Sequence, residues 1–328
     1  MKKKLVLFCF SLIFLLIPAC KTHNTMPISQ TGFNFDTIIT ITIYDSSDKT
    51  LLDSCFELAD YYENLFSKSK DGSDIYRINN ANGMPVEVSF ETIELISIAL
   101  KYATLTDGIV DPTIGSVSCL WNFHPHDSNT HTSTNTLPSD TDINIAISHV
   151  NFEHIKISEN TVTLADPDSE IDLGFIAKGF IADKIKNYLI SEGISSAIIN
   201  LGGNVLTIGS KPDGSPFTIG IQEPFADIGT AITVVSVNDK SIVTSGIYER
   251  YFNYNNKLYH HILDTSTGYP VDTNLLGVTI ISDSSTDGDA LSTICLALGY
   301  EKATKLIDSL ENTDALFITS DGEIHTTY

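Results

Sequence analysis

Ile171-Asp172-Leu173-Gly174-Phe175-Ile176-Ala177-Lys178-Gly179-Phe180-Ile181-Ala182-Asp183 is a short apolar strand that runs into Asp-Leu-Gly and then straight into a helix. Gly174 permits a tight turn, and the helical pattern continues to about residue 191. Beyond it short strand patterns dominate, as they do from Phe152, broken by helical patterns at about 287–298 and 301–311. Tyr251 to Ile262 reads as a hairpin turning at Asn255-Asn256, and Asp321-Gly322 marks another turn. Toward the N-terminus, Thr37 to Tyr44 alternates polar and apolar residues as a half-buried strand does. Leu51 to Phe66 and Ile93 to Leu105 repeat apolar residues at helical spacing, the second with Ser89 as its cap. Phe123 to Asp142 is polar, carries His124, His126 and His131, and reads as a solvent loop. Strands and helices do not alternate strictly. That pattern favours an α+β fold, a single intertwined domain of mixed or antiparallel sheets with flanking helices, over a doubly wound parallel sheet.

The chain has 328 residues, 42% of them hydrophobic, enough for a large core. Its first nineteen residues differ from the rest. Lys2, Lys3 and Lys4 precede an apolar run from Leu5 to Ile17, which ends in Pro18-Ala19-Cys20. This resembles a bacterial lipobox. It implies a signal peptide at 1–19, lipidation of Cys20, a tether over 20–31 and a functional domain at 32–328. The expected location is the extracytoplasmic face of a cell membrane, held by the lipid. Residues 1–19 hold three of the 19 basic side chains and none of the 41 acidic ones, leaving 16 against 41, a net charge of −25. Phosphate backbones need clustered Lys and Arg, so nucleic acid is excluded as a partner. Cys55, Cys119 and Cys295 are odd in number and form no C-x-x-C pair; they read as buried, inert thiols.

No G-x-G-x-x-G follows a strand and no Walker loop is present, so the two commonest nucleotide cradles are missing. Four other segments can carry chemistry. Lys178 sits in the first turn of its helix, where a cation opposes the macrodipole unless an anion is close. It is therefore a candidate phosphate contact, with a solvated surface lysine as the bare alternative. Asn200-Leu201-Gly202-Gly203 pairs glycines between strands, the mark of a tight turn or of close backbone approach. Ser245-Gly246-Ile247-Tyr248-Glu249-Arg250 precedes a strand that delivers His261 and Asp264, a possible base and its orienter. Asp289 and Thr293 are four apart at a helix start, so their oxygens share one face. That is a hard-cation donor set suited to Mg²⁺, or else an ordinary first turn.

In this order and spacing the segments resemble the signature of the ApbE family of FAD:protein FMN transferases. The family pattern runs D-L-G-x-x-A-K-G-x-x-A-D, N-x-G-G, S-G-x-Y-x-R, H-x-x-D-x-x-T-G-x-P and D-A-L-x-T. It matches here at Asp172–Asp183, Asn200–Gly203, Ser245–Arg250, His261–Pro270 and Asp289–Thr293. Gly108 to Thr113 with Leu120-Trp121 resembles a further family segment, and the likeness spans about residues 32 to 320. Two places depart: Phe35-Asp36-Thr37 stands where many members have Met-Gly-Thr, and Ser69 where some have Tyr.

The resemblance implies FAD as donor substrate, Mg²⁺ at its pyrophosphate, and an acceptor protein flavinylated on Ser or Thr with release of AMP. By position it implies metal ligands at Asp289, Thr293 and the Phe175 carbonyl. FAD contacts are implied at Ile109, Val110, Asp111, Asp172, Lys178, His261 and Ile262, and catalytic roles for His261 and Lys178. Two rivals stay open: a pyrophosphatase that hydrolyses FAD to FMN and AMP, and a lipoprotein that binds a flavin or other solute without chemistry.

Overall fold

The computed structural model describes residues 26–121, 123 and 137–328. Cys20 and the leader before it, like His124, His126 and His131, lie outside the described residues. In chain order the elements are β1 (Ile28–Asn34), β2 (Thr37–Ile43), α1 (Thr50–Phe66), α2 (Asp74–Asn79), β3 (Val86–Glu87), α3 (Phe90–Leu105), α4 (Gly115–Ser118) and α5 (Asp140–Ile147). Then come β4 (Ile155–Ser158), β5 (Thr161–Leu164), α6 (Ala177–Ser191), β6 (Ser196–Leu201), β7 (Asn204–Gly209), β8 (Phe217–Gln222), β9 (Ala231–Val237) and β10 (Ser241–Gly246). The chain closes with β11 (Tyr251–Tyr254), β12 (Lys257–His260), β13 (Leu275–Ser282), α7 (Ser285–Leu298), α8 (Tyr300–Ile307), β14 (Asp314–Thr319) and β15 (Ile324–Thr326).

Eight strands form one sheet in the order β1-β2-β6-β7-β10-β13-β14-β15, every neighbouring pair antiparallel. The fold is the α+β arrangement expected. One sheet face carries α1, α6, α7 and α8 over a core that includes Ile39, Ile41, Ile199, Phe180, Leu291 and Phe317. The other face packs the β8–β9 hairpin through Phe217, Ile221, Ile242 and Ile318. A third cluster stacks Trp121, Phe252 and Tyr259 beside the sheet. Central strands such as β13 are buried on both faces, and this is why their sequences run apolar without alternation.

Most element expectations hold. Ser89 caps α3 by accepting the Thr92 N–H at 3.3 Å. The β11–β12 turn puts Asn255 and Asn256 at φ 49° and 61°, the left-handed pair a two-residue hairpin needs. Two expectations are corrected. Ile28–Thr31, read as the end of the tether, belong to β1, which pairs along β2. This edge strand is joined by polar pairs, Ser29 to Thr42 at 2.9 Å and Thr31 to Thr40 at 3.0 Å, so it carries no apolar pattern. The polar loop also ends early: α5 begins at Asp140, capped by Ser139 accepting the Asp142 N–H, and it buries only Ile143 and Ala146.

Candidate active site

Loops at one side of the large sheet enclose a cleft of about 1690 Å³, more than the ~300–1,000 Å³ of a drug-sized pocket. Its lining includes Ile109, Val110, Asp111, Asp172, Phe175, Lys178, His261, Ile262, Asp289 and Thr293, every metal, FAD and catalytic position that the resemblance implied, but not Asp264.

The centre is the contact of α6 with α7. A Cβ on Gly179 would lie 2.1 Å from the Ser285 carbonyl oxygen and 2.8 Å from the Asp289 Cβ, so glycine is what lets the two helices meet. Asp183, the last residue of the opening motif, clamps the same contact. Its carboxylate accepts the Ser285 and Thr286 N–H groups, each at 2.9 Å, at the start of α7. Gly179→Ala forces backbone apart rather than a flexible side chain. Its expected cost is at least about 3 kcal/mol, the upper end of ordinary overpacking, read by chemical denaturation.

That closure brings Lys178 to Asp289. The Asp289 side chain is 4% exposed, its Oδ2 accepts the Gly179 N–H at 2.8 Å, and its Oδ1 faces the Lys178 ammonium at 3.5 Å. Oδ1 accepts no hydrogen bond from the described residues, so a buried carboxylate oxygen is left to the cleft. The Thr293 hydroxyl sits 3.1 Å from that of Ser245. The Phe175 carbonyl precedes the first helical hydrogen bond of α6, Phe180 N–H to Ile176 C=O, and receives no helical donor. A carboxylate, a hydroxyl and a free carbonyl are all hard oxygen donors, and this set fits Mg²⁺.

His261 lines the same cleft just after β12. Its Nδ1 lies 3.2 Å from the Arg250 carbonyl oxygen, which can only accept. Nδ1 therefore carries the proton and Nε2 keeps its lone pair. Desolvation first, then the charge of Arg250, push the imidazole down to about 3, against the hydrogen bond to the Arg250 carbonyl. The orienter is thus a carbonyl rather than Asp264. The Asp264 Oδ1 accepts the Ser266 N–H at 2.7 Å and the Ser266 hydroxyl at 2.6 Å, an Asx-type turn that consumes it locally. The turn is anchored at Trp121, whose Nε1–H donates to the Gly268 carbonyl at 2.9 Å.

Two implied FAD residues are tied to protein. Asp172 Oδ2 accepts Lys68 at 2.6 Å and Ser118 at 2.9 Å, while Oδ1 accepts the Gly174 N–H at 2.9 Å. Burial opposes its ionisation, but Lys68 and these donors hold the carboxyl below its usual range. Asp111 is 5% exposed, and its carboxylate accepts from Thr113 and from the Phe152 N–H at 2.8 Å. Burial raises its pKa in spite of those bonds. Both side chains shape the cleft wall.

Gly202 and Gly203, at φ 63° and 94°, make the two-residue turn between β6 and β7, the ordinary-turn reading of that motif. A Cβ on Gly202 would meet Thr37 Oγ1 at 2.1 Å, so the turn packs on the diverged Phe35-Asp36-Thr37 segment. Phe35 and Asp36 are themselves left-handed, at φ 54° and 55°, and Glu63 holds the turn by accepting the Phe35 N–H at 2.7 Å.

Several cleft residues had no role assigned to them from sequence. Lys68, Glu249 and Arg250 all line it. Lys68 and Lys70, two cations together after a helix in so acidic a chain, were the available signal. Glu249 is exposed to cleft water but walled in by protein. That enclosure, ahead of Asp289 and against Lys178 and Arg250, pushes its carboxyl up toward about 7, a rise that the water limits. Cys119, expected to be buried, is exposed and also lines the cleft; Cys55 and Cys295 are buried.

With this geometry in place, the model of the ApbE family matches residues 35–317. The chain belongs to the ApbE family. It is 38% identical over 284 residues to the FAD:protein FMN transferase of Klebsiella pneumoniae, covering 85% of each chain. It is 34% identical over 289 residues to the protein of that name from Treponema pallidum, covering 83% of this chain and 78% of that one. A crystal structure of the ApbE protein from Thermotoga maritima superposes with a TM-score of 0.82 at 30% identity, over 92% of this chain and 96% of that one. The ApbE motifs thus fall into two overlapping groups here. Asp183 and Gly179 build the frame, the paired glycines both turn the chain and line the cleft, and Lys178, His261, Asp289 and Thr293 present side chains to it.

Proposed function

We propose that this chain is an FAD:protein FMN transferase that moves FMN from FAD to a Ser or Thr hydroxyl of an acceptor protein and releases AMP, with Mg²⁺ as cofactor. The observation that carries the reading is one cleft holding a buried carboxylate beside a lysine together with a neutral histidine with a free Nε2. Asp289, Thr293 and the Phe175 carbonyl would hold Mg²⁺, which supplies neutralisation of the pyrophosphate oxygens when bound. Lys178 and Arg250 add positive charge where phosphates lie in this cleft. The acceptor hydroxyl gives its proton to His261 Nε2 as its oxygen attacks the phosphorus of the FMN half. The bridging P–O bond breaks, its oxygen departs with AMP, and FMN stays on the acceptor as a phosphoester. The location proposed is the outer face of a cell membrane, through a lipid on Cys20, so the acceptor is an extracytoplasmic protein.

The test incubates the protein with FAD, Mg²⁺ and an extracytoplasmic acceptor, then reads flavin fluorescence in a denaturing gel together with free AMP. A fluorescent acceptor band in step with AMP, abolished by EDTA, is expected. AMP and free FMN with no labelled protein identify hydrolysis instead, and unchanged FAD identifies a binding protein.

A further inference from the structure

A second group of metal-ligating side chains lies outside the cleft. His149 follows α5, His154 closes the short turn before β4, and Asp166 and Asp168 lie in the loop after β5. One ligand atom each from His149, Asp166 and Asp168 falls within 4.8 Å of the others. The His149 Nδ1 is 2.8 Å from Asp166 Oδ2, and His154 Nδ1 is 3.8 Å from that same oxygen. None of the four lines the cleft.

We propose that His149, Asp166 and Asp168 form a structural binding site for a borderline divalent cation of the Zn²⁺ class, with His154 beside it. The donor set argues for the class. Imidazole nitrogen with carboxylate oxygen suits Zn²⁺, Ni²⁺ or Cu²⁺, whereas Mg²⁺ prefers oxygen alone. The spacing argues for the site. Donors bonded at ~2.0–2.2 Å around a tetrahedral ion stand about 3.3 Å apart, against 2.8 Å between His149 Nδ1 and Asp166 Oδ2 and a bound of 4.8 Å across the group, so side-chain rotation opens the first pair and draws Asp168 in. Charge argues for it too: among the described residues no lysine or arginine pairs with Asp166 or Asp168, and imidazoles are the only basic groups facing them. The side chains of His149, Asp166 and His154 are 24%, 22% and 25% exposed, which leaves a path for entry.

The surrounding bonds hold the parts in place without the ion. Ser169, fully buried, donates its hydroxyl to the His149 carbonyl at 2.6 Å and sits 2.9 Å from His154 Nδ1. Because that hydroxyl proton is committed to His149, the His154 Nδ1 is the donor to Ser169. Binding an ion at His149 Nδ1 replaces the 2.8 Å contact that this nitrogen makes with Asp166 Oδ2, and the ring proton is then carried on Nε2. The clamped segment supports the cleft wall: the Asn151 N–H donates to Thr113 Oγ1 and the Phe152 N–H to Asp111 Oδ2, each at 2.8 Å. The role inferred is to stiffen the wall behind residues 109–111, and it does not depend on the proposed transfer reaction.

Calorimetric titration of metal-free protein with Zn²⁺, under excess Mg²⁺ to saturate oxygen-only sites, reads the site directly. One equivalent is expected, with a melting temperature that rises with Zn²⁺. His149→Ala and Asp168→Ala should each weaken binding by at least about tenfold and flatten the thermal response, while Asp289→Asn should change neither. Asp168 is exposed, so its variant keeps the fold, checked by its melting temperature in EDTA. The proposal is overturned if no stoichiometric uptake occurs, or if both variants bind Zn²⁺ as the parent does.

Discussion

Asp289→Asn is expected to lower Mg²⁺-dependent FMN transfer by at least about a hundredfold, roughly 2.7 kcal/mol of transition-state stabilisation, while the protein stays folded. The substitution separates two tasks held by one side chain. Asp289 Oδ2 accepts the Gly179 N–H at 2.8 Å and so ties α7 to the start of α6. An asparagine carbonyl oxygen can keep that bond. What it cannot keep is the negative charge on the oxygen that faces Lys178 and the cleft. Stability should therefore change by no more than about 1 kcal/mol, the scale of one neutral hydrogen bond. Alanine is the less informative change, because it also strips the Gly179 N–H of its partner. AMP release that stays at the parental rate and EDTA-sensitive in the asparagine variant would place the metal elsewhere.

The second large effect is expected at His261. Replacement by alanine should reduce transfer by about 10²–10⁴-fold, the usual worth of a positioned base, with FAD affinity within about threefold of the parent. The pH behaviour follows from the same environment. Desolvation and the Arg250 charge push His261 down to about 3, so its neutral form persists across the working range. No loss of rate from its protonation is expected between pH 7.5 and 5, where an ordinary imidazole would titrate near 6.5. Stability has the opposite dependence. In the unfolded chain His261 and His260 take up protons below about pH 6.5, whereas in the folded chain they resist to about 3 and about 4. Their contribution is fully present above pH 6.5 and declines as pH falls toward 4, visible as a falling melting temperature. If His261→Ala abolishes FAD binding while the residual bound flavin still transfers, the histidine is a binding residue and not the base.

Strong periodicity made the helices legible: α1, α3, α6 and α7 each show an apolar stripe or a capping residue that needs no tertiary context. β1 and α5 were missed because each buries so little that composition cannot mark it, and Thr–Ser pairing or one cap does the holding. At the site, Lys178, His261, Asp289 and Thr293 were legible because ordered motifs carry them. Lys68 was not, since its meaning depends on Asp172, 104 positions along the chain. Asp264 misled for the converse reason. Its spacing from His261 suits an orienter, but a nearby serine claims the carboxylate first.

The order of the motifs and their residue types were settled by the amino-acid sequence alone: the family and the α+β class follow from them. Which members of those motifs line the cleft and which hold two helices together was decided only by packing. Gly179 and Lys178 are neighbours in one helix turn, yet one fills the α6–α7 contact and the other faces the cleft. Local sequence specifies a dihedral or a cap. It cannot specify which distant carboxylate or carbonyl will stand within 3 Å, because that distance is the sum of every turn and layer in between.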